Sequence, residues 1–163
     1  MGINPADFRQ LVVRPTLEKL GKWSSSLENL LIGTAAQASG LGSQLSSDHG
    51  YGIYQVNATL HQTVWDCFLA FDADLASAVR GLASQREFLC QPHIELTTNL
   101  SYATAIAWGV YAHQGAEIPS DANNVEGLAW CWHQHFCQDT SLTTRNFVST
   151  YQQLVQKEKA FAA

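Results

Sequence analysis

Apolar residues recur three and four positions apart in nearly every segment of the chain, and strand-like alternation over four or more residues is hard to find. The pattern predicts a mainly α fold. An opening helix carries Phe8, Leu11 and Val12 on one face, and Pro15 is expected to end it and begin a short second helix through Leu20. In "SSLENLL", Ser25 and Glu28 have capping-box spacing. Leu27, Leu30, Leu31, Thr34, Ala35 and Ala38 then repeat at helical intervals, which places Ala38 on the buried face.

Further along, Thr59 and Gln62 form a second capping-box pattern ahead of Leu60, Val64, Phe68 and Phe71. Asp72 or Asp74 caps the next helix, with Leu75, Val79 and Leu82 inward. "TTNLSYATAIAWGVYAH" predicts a long central helix with a stripe of Leu100, Thr104, Ala107, Trp108 and Tyr111. Small residues on its other side, Ala105 and Gly109, allow a helix or a ligand to come close. Asn123 or Asn124 caps a helix with Val125, Leu128, Ala129, Trp132 and Phe136 inward. The last helix starts near Thr143 and buries Phe147, Tyr151 and Leu154.

One long irregular stretch interrupts the helices. Residues 40–58 are rich in Gly, Ser and Asp yet hold Tyr51, Ile53, Tyr54 and Val56, which predicts a small irregular or hairpin lobe on the helical scaffold. No linker, repeat or low-complexity run divides the chain, so residues 1–163 are expected to form a single domain.

Composition narrows the function. The hydrophobic share is 46% and the charged share 14%, as in folded proteins. Net charge is -5, and "KEK" near the C-terminus is the only basic cluster, so nucleic acid is not an expected partner. No apolar run is long enough to span a membrane. The N-terminal stretch lacks a signal-peptide pattern, so synthesis in the cytoplasm is expected. Cys67, Cys90, Cys131 and Cys137 read as reduced core thiols. Cys131, His133, His135 and Cys137 alternate at two-residue spacing, which on a helix splits them between faces. No metal site and no cofactor are expected.

The chemistry concentrates around "GTAAQASGLG" and "GYGIYQVNATLH". Together these segments resemble the lysozyme-like lytic transglycosylases, in which a helix ends in Glu-Ser-Gly and a loop then delivers Gly-Leu-Met-Gln or a variant. Ser39-Gly40 match the first element and Gly52-Ile53-Tyr54-Gln55 the second, while "NLSYATAIAWGVYAH" resembles the third. The chain also resembles small muramidase-like proteins of bacteriophages and prophages, over about Leu27 to Tyr151. The aromatic-Asn element of the C-terminal third is replaced by "HQHFCQDT", where His135 or Phe136 takes its place.

The resemblance implies a catalytic glutamate at the position held here by Ala38. A carboxyl group at such a helix end, turned toward an apolar pocket, has its pKa raised to about 6 and can protonate a glycosidic oxygen. Alanine cannot. Gln55 is implied as a sugar-binding amide, Tyr54 as cleft wall or core, and Tyr102 as a substrate contact or a buried, satisfied tyrosine. Ser39 either orients the acid or terminates the helix. Asp48 is either a second carboxylate or a solvated turn residue, and Glu95 an ordinary surface or first-turn acid. Trp130 and Trp132 suggest sugar stacking, though their spacing also suits the core.

Three functions are therefore open. The first is cleavage of the β-1,4 link between N-acetylmuramic acid and N-acetylglucosamine in peptidoglycan, at the cell wall, by an enzyme present here in an inactivated Glu-to-Ala form. The Met-Gly before "INPADF" resembles a cloning remnant, in keeping with this. The second is a naturally inactive peptidoglycan-binding or phage virion structural module. The third is a helical interaction domain unrelated to glycans.

Overall fold

A computed structural model describes residues 1–157; Glu158 and Lys159 of the basic cluster lie outside the described residues. Asn4 caps helix α1 (Pro5–Phe8) through its side-chain oxygen. Pro15 does not break the chain. Instead a π-turn at Arg9–Val13 leads directly into α2 (Arg14–Lys19), and the Arg14 N–H reaches back to the Arg9 carbonyl. This wider turn accommodates a proline that has no N–H to give and would crowd a regular helix. It also shifts the inward face: Val13 is buried and Leu11 is 72% exposed.

Helix α3 (Ser25–Ser39) is capped by Ser24, one residue before the capping-box pattern, because Glu28 is engaged elsewhere. The Glu28 carboxylate is 1% exposed and receives Arg9, Arg14 and the Trp23 indole N–H. After α3 the chain makes a two-stranded antiparallel hairpin, β1 (Ser46–Ser47) and β2 (Gly50–Tyr51), with Ser46 opposite Tyr51. Residues 40–58 thus carry the hairpin lobe that the composition predicts.

Asn57, not Thr59, caps α4 (Ala58–Cys67). A 3-10 turn at Leu69–Phe71 follows, with Leu69 in the core and Phe71 83% exposed, since the helical spacing ends before Phe71. Asp72 caps α5 (Ala73–Arg80). Helix α6 (Gln85–Cys90) and a 3-10 turn (Pro92–Ile94) lead to α7 (Glu95–Thr98). Glu95 is buried rather than a surface acid: its carboxylate accepts the Ser84 N–H and hydroxyl and the Asn99 amide.

Asn99 caps the central helix α8 (Leu100–His113), which is buried from Tyr102 to Tyr111. Gly109 lets α4 approach closely, since a Cβ there would stand 2.8 Å from a Val64 methyl. Helix α9 (Val125–His135) is capped by Asn124. Helix α10 (Thr144–Tyr151) runs into a second π-turn (Gln152–Gln156) that buries Val155 and leaves Leu154 outside. At Gly33, α3 admits the Phe147 ring of α10, 2.3 Å from where a Cβ would be. The buried apolar residues form one cluster, to which α3 and α8 contribute more than any other helix.

All four cysteines are free, but only Cys131 is a core thiol, its pKa pushed up to about 11 by burial. Cys67 and Cys90 are exposed. Gly2 is held in place. It packs on the end of α3, where a Cβ would meet the Gly40 and Leu41 carbonyl oxygens at 2.2 and 2.4 Å, and Ile3 N donates to Leu41 O.

Candidate functional site

The end of α3 is built as a tight stop. Gly40 adopts the left-handed conformation (φ 59°, ψ 44°), and its N–H and that of Leu41 return to the Ala36 and Ala35 carbonyls. Ser39 joins this stop to the lobe: its hydroxyl donates to Ile53 O at 2.6 Å and accepts the Gly42 N–H at 2.9 Å. Of its two expected roles, Ser39 therefore fills the one that terminates the helix, and adds a clamp on the loop.

Ala38 sits in that last turn, half-buried rather than in the core, and lines a cleft of about 890 Å³. One wall is the hairpin lobe, with Ser47, Asp48, His49 and Gln55. The other is the end of α9 and the loop to α10, with Trp132, Phe136, Cys137 and Asp139. The structure thus brings Ala38, Ser39, Asp48, Tyr54 and Gln55 to one cleft.

Their individual settings differ from the expectations. Gln55 has φ 51°, a strained value for a residue with a Cβ. Its amide is spent within the lobe, donating to Gly52 O at 2.7 Å and Leu45 O at 3.3 Å and accepting the Ser47 hydroxyl. One lone pair of its oxygen remains for a ligand. Tyr54 is buried, its hydroxyl paired with Thr104 at 2.9 Å, and desolvation pushes its pKa well above the usual phenol value. Tyr102 does not reach the cleft. It is fully buried, and its hydroxyl pairs with His61 and Trp65.

Asp48 is exposed at the hairpin turn. Phe136 and Trp132 line the cleft, whereas Trp130 is 55% exposed on another face and His135 bonds Gln114 outside it. Among the described residues no group of three or more His, Cys, Asp or Glu is placed to hold a metal ion. In the Cys131 to Cys137 segment, His133 meets Leu142 O and Cys137 donates to Asp139 O.

Sequence reasoning missed Gln37, Gln44, His49, Gln138 and Asp139, all of which line the cleft. Only Asp139 has a local signal, the Asp-Thr-Ser turn in which its carboxylate accepts the Ser141 N–H and hydroxyl. Those bonds, with a smaller contribution from His49, hold the Asp139 carboxyl below the usual carboxylate range. The lining is suited to a polar ligand, with amides at Gln37, Gln44, Gln55, Asn57 and Gln138; the Trp132 and Phe136 rings beneath it are buried. Both of its carboxylates, Asp48 and Asp139, are exposed, so neither has the desolvated setting of a general acid.

The lobe is seated closely on α7. A Cβ on Gly52 would lie 1.7 Å from Leu96 O, and the φ of Gly52 is 76°. Gly52→Ala is therefore expected to displace the hairpin and lower stability by about 2 kcal/mol, read as a lower urea midpoint. An unchanged midpoint would show that the seat has room.

No protein-family model, curated protein or solved structure matches the chain.

Proposed function

We infer that the cleft takes a glycan strand of peptidoglycan in the manner of lysozyme-like transglycosylases and muramidases, and that this chain binds the strand without cutting it. The observation that carries this reading is the place of Ala38. It occupies the last turn of a helix that crosses the core, opens onto the cleft, and shares that cleft with the Gln55 lobe. The amide-rich lining suits acetamido sugars, whose hydroxyl and amide groups need directional partners.

An enzyme whose acid has been replaced and a domain that never cuts share this cleft. In either form the Gln55 amide, bonded within its own loop, gives the cleft its shape, and the residue at position 38 decides whether a strand is cut. Either form would work at the cell wall, and the phage resemblance extends the second to a virion component that holds the wall.

Sedimentation with purified sacculi tests the reading. The chain is expected to pellet with sacculi and to release no soluble fragments. Gln44→Ala with Gln138→Ala, two exposed cleft positions, should weaken binding of soluble glycan fragments about tenfold through two lost hydrogen bonds. If the chain binds neither sacculi nor fragments, the glycan reading fails and a helical interaction domain takes its place.

A further inference from the structure

Beside the hairpin, a run of hydrogen bonds links side chains of α4, α8 and the Pro92–Ile94 turn. Trp65 Nε1 donates to the Tyr102 hydroxyl at 2.8 Å, that hydroxyl meets His61 Nε2 at 2.7 Å, and His61 Nδ1 meets His93 Nδ1 at 2.8 Å. His61 is 1% exposed, and the half-buried His93 ring stacks on Tyr51 of β2 with centroids 5.7 Å apart.

The protons in this run have one arrangement that satisfies every group. Trp65 is a donor only, so the Tyr102 oxygen accepts from it. Among the described residues the only acceptor offered to the Tyr102 proton is His61 Nε2. That puts the His61 proton on Nδ1, where it donates to the bare Nδ1 of His93. An added proton then has no place. On His93 Nδ1 it faces the His61 N–H. If His61 moves its proton to Nε2 to make room, the buried Tyr102 proton loses its acceptor, at a cost typical of an unsatisfied polar group. Protonating His61 at Nε2 has the same effect and adds a buried charge.

We propose that the His61–His93 contact is a proton-operated brace for the hairpin wall of the cleft, closed while both imidazoles are neutral and released when the pair takes up one proton. His93 supports Tyr51, and the turn that carries it leads into α7, whose Leu96 carbonyl seats Gly52. Once His93 parts from α4, β2 loses this support. The other fastenings of the lobe, Ser39 to Ile53 and Tyr54 to Thr104, hold no group that takes up a proton in this range, so release is local.

The groups facing the pair are few. Tyr102 stands on the α8 side and Tyr51 on the hairpin side. Glu95 of α7 and Arg80 of α5 act on Tyr102 with opposite signs. Burial first, and the charge of His93 second, hold His61 below its usual 6.5, at about 4. A lowered imidazole pKa means that the closed form refuses a proton that the open form accepts. The stabilisation is therefore complete above about pH 6.5 and is lost as the pH falls toward 4.

Hydrogen exchange of residues 43–56, corrected for intrinsic rates and measured at about pH 7 and about pH 4.5, tests the brace independently of what the cleft binds. Exchange in the hairpin should rise about tenfold in acid while α3 and α8 keep their protection. His93→Gln, which can accept the His61 N–H but takes up no proton here, should remove the acid step. Hairpin exchange that is flat with pH, or an acid step that persists in His93→Gln, overturns the proposal. If that variant does not fold, imidazole nitrogen spectra of the unaltered protein decide. A His61 proton on Nδ1 that shifts together with His93 and with hairpin exchange supports the brace; His93 titrating alone overturns it.

Discussion

Ala38→Glu is expected to convert the proposed glycan cleft into one that cuts the strand it takes. The new carboxyl would stand in the last turn of α3, half-buried and facing the cleft. Partial desolvation and the negative end of the helix dipole both raise its pKa, which keeps a proton available near neutrality. The same two effects should lower stability by about 1 to 2 kcal/mol. Release of soluble fragments from sacculi should rise by about 10² to 10⁴ over the unaltered chain, the usual contribution of a positioned general acid. Ala38→Gln, of equal size and without the proton, should release none. Anhydro-muramic ends among the products would identify a transglycosylase and reducing ends a hydrolase; Asp48 is exposed and unaligned, which favours the former. If Ala38→Glu folds, pellets with sacculi and frees nothing, the inactivated-enzyme reading is wrong and the binding module stands.

Glu28→Ala is expected to be the most damaging single change to the fold. Glu28 receives Arg14 at 3.1 and 3.2 Å, Trp23 at 3.0 Å and Arg9 at 3.5 Å, and Arg9 also reaches Asn29 at 2.6 Å. This cluster joins the first helical run to the start of α3. Asn29 and Ser26 extend it to the Ala122 and Ser120 carbonyls of the loop before α9. Removing the carboxylate leaves Arg9, 16% exposed at its side chain, beside an empty site, and breaking a pair this buried typically costs about 3 to 5 kcal/mol. The check is urea unfolding: a lower midpoint at unchanged slope. A loss under about 1 kcal/mol would mean that water already serves these cations.

The roles of Glu28 and Glu95 also mark the limit of what local patterns reveal. Serine followed three positions later by glutamate points to a cap at Ser25. The cap is Ser24, because the carboxylate is drawn to arginines far earlier in the chain. Glu95 opens a helix, as first-turn acids do, yet it is buried by a segment eleven residues away. Helix type and most inward residues were legible wherever the 3.6-residue period ran unbroken, as from Leu27 to Ala35 and along α8, although both helices are buried on all sides and not along one stripe. They failed at the π-turn, where an extra residue exchanges Leu11 for Val13. The cleft was half legible. The Ser-Gly stop and the Gly52 to Gln55 loop carry their own turn chemistry, but Gln138 and Asp139 join them only through the packing of α9 and α10 on α3, which no spacing encodes.

The ties inside the hairpin lobe bear on how tightly any ligand is held. A wall whose own glutamine fixes Leu45, Gly52 and Ser47 has surrendered its conformational freedom before a ligand arrives. Association then need not order that wall, so contacts made along it count almost fully toward affinity, and the complex gains strength from rigidity as well as from new bonds. A ligand entering the cleft meets a wall that is already ordered, and selectivity falls to ligands whose own conformation fits it.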